Sequence, residues 1–184
     1  MRTEYLLAII LLSFEPSFAI DNLTIQKLVL EKKLTTIQKI DKLNSLLLEE
    51  ENSKEFDRLL LEMGKLLLNV DISISDYKKD LKYRNVYQLS IIKSANYGNF
   101  VGYTGYHFKK IISDYPNSEF LDDAEYYLIY SLPEEYNYDN LKEEKGKLEG
   151  FLKKYPDSNL SGTVRKRIKW LRSYIKNGQN WIVD

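Results

Sequence analysis

Tyr115-Pro116-Asn117-Ser118 and Tyr155-Pro156-Asp157-Ser158 stand 40 residues apart, each between two stretches of helical periodicity. The same offset aligns Phe108 with Leu148, Ile111 with Phe151, Ile112 with Leu152, Phe120 with Leu160, Ala124 with Val164 and Leu128 with Ile168. Few residues are identical, but the apolar positions recur, which is how a stacked helical repeat is written in sequence. The motif has a physical logic. Proline lacks a backbone donor and ends the helix before it. Serine offers an oxygen that caps the next helix. Tyrosine can fill the seam between neighbouring pairs while its hydroxyl stays wet.

Working outward, seven helices are expected. The first spans Leu23 to Glu50, either as one arm or as two helices broken near Thr35-Thr36, with Asp21 or Asn22 as cap. The second spans Ser53 to Val70, with Asn52 and Glu55 as a capping box and an apolar face (Phe56, Leu59, Leu60, Met63, Leu67) widened by Leu61, Leu66 and Leu68, so that it is buried on more than one side. The third spans Asp76 to Asn96, capped by Ser75, and Asn96-Tyr97-Gly98-Asn99 is a turn signal after it. The fourth spans Phe100 to Asp114, with Gly102 and Gly105 placed for close contact with the preceding helix. The fifth runs from Glu119 to Ser131, the sixth from Leu141 to Tyr155, and the seventh from Asn159 to Asn177. Trp181, Ile182 and Val183 are expected to fold back on the last helix, because that apolar surface is costly in water. The fold class expected is all-α, antiparallel helix pairs stacked as a short solenoid.

Arg2 precedes an apolar run, Tyr5 to Leu12, followed by Ser17-Phe18-Ala19. That order reads as a signal peptide over 1–19, cleaved before Ile20, and the run is too short to span a bilayer. The protein is therefore expected outside the cytoplasm, periplasmic or secreted, with no integral membrane span after cleavage. Tyrosine use divides the remainder. After Tyr5 every tyrosine lies at Tyr77 or later, which separates an N-terminal helical region, 20–76, from a repeat region with a C-terminal tail, 77–184.

The chain has 27 basic and 27 acidic residues and no cysteine. Zero net charge supplies no field to draw nucleic acid. Without cysteine there are no disulfides, thiolate metal sites, thiol nucleophiles or lipid-bearing cysteine. His107 is the lone histidine, expected partly exposed on its helix with no catalytic or ligand role. Neither a Gly-rich phosphate loop nor a nucleophile elbow occurs. No cofactor is implied.

The stretch from Tyr83 to Ile175 resembles tetratricopeptide repeats of the type found in bacterial envelope proteins. There a helix ending in an aliphatic pair leads into Tyr-Pro-x-Ser, here Ile111, Ile112, Tyr115, Pro116 and Ser118, then Phe151, Leu152, Tyr155, Pro156 and Ser158. The 40-residue period exceeds the usual 34, which the loop Pro133 to Asp139 accounts for. The resemblance implies a scaffold that binds a protein or peptide through the first helices of its pairs. On the fifth helix that nominates Glu125 and Ile129; on the seventh, Arg165, Lys169 and Arg172, with carboxylates of the partner meeting the cationic line. Tyr126, Ile129 and Tyr130 point away from the stripe through Ala124, Tyr127 and Leu128, either to line a groove or to pack on the N-terminal helices. The competing expectation is a small envelope hydrolase using paired carboxylates on the same scaffold. A cleft with two inward acids favours the hydrolase, a groove without them the binder.

Overall fold

The computed structural model describes residues 21–49, 53–93, 98–131 and 138–178. Residues 1–19, read above as a signal peptide, and the tail residues Trp181 to Val183 lie outside them. In chain order the elements are α1 (Asn22–Leu30), α2 (Thr36–Glu49), α3 (Phe56–Leu67), α4 (Ile74–Lys79), α5 (Lys82–Asn85), β1 (Leu89–Ile92), β2 (Phe100–Tyr103), α6 (Tyr106–Asp114), α7 (Leu121–Ile129), α8 (Tyr138–Lys154) and α9 (Ser161–Gly178). The protein is mainly helical. Among the described residues no helix is long and apolar enough to cross a membrane.

The first expected helix is two helices, and local hydrogen bonds say why. Asp21 caps α1, accepting from the Thr24 N–H at 2.8 Å. At α2, the Thr35 hydroxyl accepts from the Gln38 N–H (3.2 Å) while the Gln38 side-chain oxygen Oε1 accepts from the Thr35 N–H (2.9 Å). This reciprocal pair is a capping box, and it starts a new helix at Thr36. Asn52, half of the box expected at α3, lies outside the described residues.

The all-α expectation is corrected at residues 74–103. One long helix from Asp76 to Asn96 does not form. Instead Ser73, not Ser75, caps the short α4, accepting from the Asp76 N–H at 3.0 Å. After α5 the chain turns through Gln88, which has φ +55°. Leu89–Ile92 then pairs antiparallel with Phe100–Tyr103, Leu89 opposite Tyr103 and Ile92 opposite Phe100. Ile91, Ile92, Phe100, Val101 and Tyr103 are β-branched or aromatic, residue types that suit a pleated, half-buried surface. Of the turn signal read as a break between helices, Asn96 and Tyr97 lie outside the described residues, and Gly98, which precedes β2, has φ +72°. The expected fourth helix loses its first residues to β2, and Gly102 lies opposite Ser90 in the sheet.

α3 is the hub. Phe56, Leu59, Leu60, Leu61, Met63, Gly64 and Leu67 are all buried, and the helix packs against α1, α2, α6 and α7. This is the two-sided burial that its wide apolar face implies. Gly64 lets α6 approach, since a Cβ there would lie 2.5 Å from the Phe108 ring. Beyond α3, each helix packs on the next: α6 on α7, α7 on α8, α8 on α9.

Two apolar cores result. The first joins Ile25, Ile40, Leu43, the α3 residues, Tyr77, Tyr87, Leu89, Val101, Tyr103, Phe108, Ile111 and Ala124. It draws on both sides of residue 76, so the regions that tyrosine usage separates share one core. The second joins Tyr126, Leu141, Leu148, Phe151, Val164, Ile168 and Leu171. α7 belongs to both. Ala124 is buried in the first core and Tyr126 in the second, with Tyr127 packed against each. The outward side of the α7 stripe is shared: Tyr126, Ile129 and Tyr130 join the core formed with α8 and α9, Ile129 also lines a cleft beside α8, and Tyr126 and Tyr130 line another next to Leu68 and Asn69.

The 40-residue offset is visible in the backbone. The Tyr115 N–H donates to the Ile111 carbonyl (2.9 Å) and the Tyr155 N–H to the Phe151 carbonyl (2.8 Å). Ser118 and Ser158 N–H groups donate to the carbonyls of Tyr115 and Tyr155. The hydroxyls of Ser118 and Ser158 accept from the N–H of Phe120 (3.0 Å) and Leu160 (3.1 Å). Residues 111–120 and 151–160 also share one pattern of burial, position by position. Each tyrosine leans on the preceding helices: Tyr115 stacks on Phe56 of α3, and the Tyr155 hydroxyl donates to Glu125 of α7 at 2.9 Å.

Candidate functional site: two clefts related by the repeat

The five nominated residues fall into two clefts. The first, about 440 Å³, opens between α6, α7 and α8 and is lined by Ile112, Glu125, Leu128 and Ile129 together with Lys147, Gly150, Phe151 and Lys154. The second, about 360 Å³, lies between α8 and α9 and is lined by Leu152, Arg165, Ile168 and Lys169 together with Glu149 and Arg172. Ile112, Glu125, Leu128 and Ile129 correspond at the 40-residue offset to Leu152, Arg165, Ile168 and Lys169. The same four positions of the repeat build both clefts, and the structure brings Glu125 beside Ile129 and Arg165 beside Lys169 and Arg172.

The local reason is helix geometry. Positions 125, 128 and 129 share one side of α7, three and four residues apart, and 165, 168 and 169 share the corresponding side of α9. Ile112 and Leu152, expected inward, are half-buried and form the cleft floors; Ile111 and Phe151 next to them take the core positions. Both members of each helix pair therefore line a cleft, not the first helices alone.

The electrostatics differ between the two. Glu125 is engaged from α8, where Lys154 and the Tyr155 hydroxyl both reach it. The hydrogen bond to Glu125 raises the Lys154 ammonium above its ordinary value. In the second cleft Glu149 takes a hydrogen bond from Arg172 at 2.8 Å, and that bond lowers the Glu149 carboxyl. Of the cationic line read in sequence, Arg172 also bonds Glu149 of α8. The side chains of Arg165 and Lys169 make no hydrogen bond or ion pair to any described residue. The cleft accordingly presents two free cations over an apolar floor of Leu152 and Ile168.

Sequence reading missed several features here. Gly150 lines the first cleft, and a Cβ added there meets open space. On the other side of α9, Arg167 is held flat by both oxygens of Glu144 (2.7 and 3.0 Å). Its guanidinium lies 4.4 Å from the Trp170 ring centre, and Trp170 stacks on Tyr174 at 5.1 Å. The three- and four-residue spacing of 167, 170 and 174 was the available signal.

His107 is also a correction, since it is buried. The Tyr103 hydroxyl accepts from the His107 N–H (2.8 Å) and lies 2.9 Å from its Nδ1. The one phenolic proton can then go to Nδ1, which fits a neutral ring protonated at Nε2. Desolvation pushes the imidazole down to about 4. His107 sits under the hairpin, in the first core, away from both clefts. Gly105, two residues before it, has φ +84°, and a Cβ there would lie 2.5 Å from Leu128 Cδ1 and 2.6 Å from the Ser131 hydroxyl. The close contact expected of this glycine exists, but with Leu128 of α7 and Ser131 just beyond it instead of the preceding helix. Among the described residues no three His, Asp or Glu side chains gather as a metal site requires.

Comparison with protein-family models and with curated proteins yields no match, so the geometry of the two clefts is the ground on which a function is argued.

Proposed function

We propose that this protein is an exported helical-repeat scaffold, of tetratricopeptide-like build, that holds a protein or peptide segment along the face carrying the two clefts. The carrying observation is that one set of four repeat positions builds both clefts. A periodic pair of apolar-floored clefts suits an extended or helical segment that places one side chain in each. The leader-like residues 1–19 support a location outside the cytoplasm, periplasmic or secreted. The succession of helix contacts from α3 and α6 through α9 supports the solenoid reading.

Charge defines the partner. Arg165 and Lys169 have no counter-ion among the described residues, and a guanidinium can hold a carboxylate through two hydrogen bonds. The partner segment is acidic where it crosses the second cleft and apolar where it enters the first. Each cleft has one carboxylate, Glu125 or Glu149, and each is held by a lysine or arginine. That arrangement supports binding over hydrolysis by a carboxylate pair.

Affinity capture from the envelope fraction, with residues 20–184 as bait, tests the proposal. Arg165→Glu with Lys169→Glu is expected to weaken capture at least ~10-fold, and capture by the unchanged protein should fall as salt rises, because exposed charges are screened. Gly150→Leu adds a side chain to the first cleft at a position where the Cβ meets open space, and should weaken capture independently. Helical content by circular dichroism should be unaltered in both. Undiminished capture by both variants would show that neither cleft is the binding site.

A further inference from the structure

Val164, Ile168 and Leu171 bury one side of α9 in the second core. On the opposite side Lys166, Lys169, Trp170, Ser173, Tyr174 and Lys176 are all exposed. α9 carries six basic residues and no acid. Its arginines are turned aside: Arg167 and Arg172 bond Glu144 and Glu149 of α8, and Arg165 lines the second cleft. Its three lysines make no hydrogen bond or ion pair to any described residue. Trp170 and Tyr174 stand among them, each about half exposed. The charge of the chain is also unevenly divided. Residues 138–178 hold eleven basic and five acidic residues out of 27 and 27, so acids predominate in the remainder. On α8 the carboxylates of Glu143, Glu144 and Glu149 are already answered by Lys147, Arg167 and Arg172.

We infer that the outer side of α9 docks on an anionic phospholipid surface, with its lysines among the headgroups and Trp170 and Tyr174 at the interface. Three observations favour lipid over other polyanions. The first is the choice of cation. Lysine is a compact point charge that suits a diffuse layer of headgroups, whereas the arginine forks, which fit a single carboxylate or phosphate, are turned away. The second is the indole. Arg167, one turn before Trp170, lies 4.4 Å from its ring centre, and Tyr174, one turn after, stacks on it at 5.1 Å with 19° between the planes. The two take opposite faces of the ring, so no nucleic-acid base can stack there. The indole edge remains, and the bilayer–water interface favours amphipathic rings of this kind. The third is shape. Lys166 and Lys176 are ~15 Å apart along the helix, and one side of a helix is a convex ridge that meets a flat surface without needing a groove.

The apolar stripe of α9 stays in the core, so the contact is shallow and electrostatic, unlike that of an amphipathic helix that buries its apolar face in lipid. It therefore requires acidic lipid and is screened by salt. Lys166, Trp170, Tyr174 and Lys176 line neither cleft. The docking surface thus goes beyond the partner site and stands independently of it, holding the scaffold at a membrane while both clefts stay open.

Co-sedimentation with vesicles tests the inference, using residues 20–184 and vesicles of phosphatidylcholine, either pure or with about one part in three phosphatidylglycerol. Binding to the acidic vesicles should exceed binding to the pure ones at least ~10-fold and should fall as salt rises. Lys166→Glu with Lys176→Glu should lower it at least ~10-fold. Trp170→Ala should lower it about threefold with the salt dependence unchanged. Lys32→Glu with Lys33→Glu makes the same change in net charge on exposed residues between α1 and α2, and should alter binding less than about twofold. Circular dichroism confirms that the helices are intact in each variant. No preference for acidic vesicles overturns the inference. So does an equal loss in the two lysine pairs, or duplex DNA held more tightly than the acidic vesicles. Partner capture by the Lys166→Glu, Lys176→Glu protein is a separate measurement, since neither residue lines a cleft: captured partner without vesicle binding keeps the clefts as a site whatever becomes of the membrane surface.

Discussion

Replacing Phe108 by alanine lowers the stability of the protein by about 3–5 kcal/mol, the range for removing a fully buried aromatic side chain. Phe108 has no solvent exposure. Its ring stacks on Tyr127 of α7 at 5.7 Å, meets Tyr103 of β2 edge-on at 5.8 Å, and lies against Gly64 of α3. One side chain therefore ties the hub helix, the hairpin and the first repeat together. The cavity cannot collapse cheaply, because its walls belong to three elements held by other contacts. Gly64→Leu in the Phe108→Ala background should recover part of the loss by refilling that space. Urea denaturation of the three proteins reads the effect. A loss of less than about 1 kcal/mol for Phe108→Ala would contradict the close packing of α6 on α3.

Acid destabilises the protein through His107. Its folded-state imidazole sits at about 4, below the ordinary 6.5, because burial disfavours the cation. The unfolded chain therefore binds this proton more readily than the folded chain does. The stabilising difference is complete above pH 6.5 and is lost as pH falls from there towards 4. Linkage makes the loss about 2–3 kcal/mol between pH 7 and pH 4.5. His107→Leu removes the titrating group, so the drop in stability over this range should shrink by about that amount relative to the unchanged protein. Asp76 and Asp114, whose carboxyls are lowered by hydrogen bonds to Ser73 and Lys110, are exposed and titrate in both proteins, so the comparison cancels them. Identical pH dependence in the two proteins would mean that the ring is hydrated and the Tyr103–His107 contact open.

The mutational and pH effects both centre on the junction of hairpin and repeat, and that junction is where the amino-acid sequence was least legible. Residues 76–96 carry Lys, Tyr and Ile at spacings that a helix accepts, and nothing local forbids one. What displaces it is pairing between Leu89–Ile92 and Phe100–Tyr103, a contact across a connection that periodicity within either segment cannot register. His107 was misplaced for the same reason. A histidine between a tyrosine and a phenylalanine on an amphipathic helix reads as half-exposed until the Tyr103 hydroxyl, from a strand, closes over it.

The clefts were legible in part. The 40-residue offset placed Glu125 with Arg165 and Ile129 with Lys169, because a repeat maps sequence position onto spatial position when each unit packs on the last in the same way. Arg172 was not separable from that line, since its partner Glu149 sits on another helix and side-chain reach between helices depends on their packing. By itself the sequence determined the helical periods, the Tyr-Pro-x-Ser turns and the wide apolar face of α3, whereas α7 starts at Leu121 behind Phe120 and not on a Ser118 cap. Those features depend on hydrogen bonds and dihedral preferences within a few residues. Only the tertiary structure decided the hairpin, the burial of His107, the division of α7 between two cores and the unmatched charges of the second cleft, because each depends on which segments, distant in sequence, exclude water from one another.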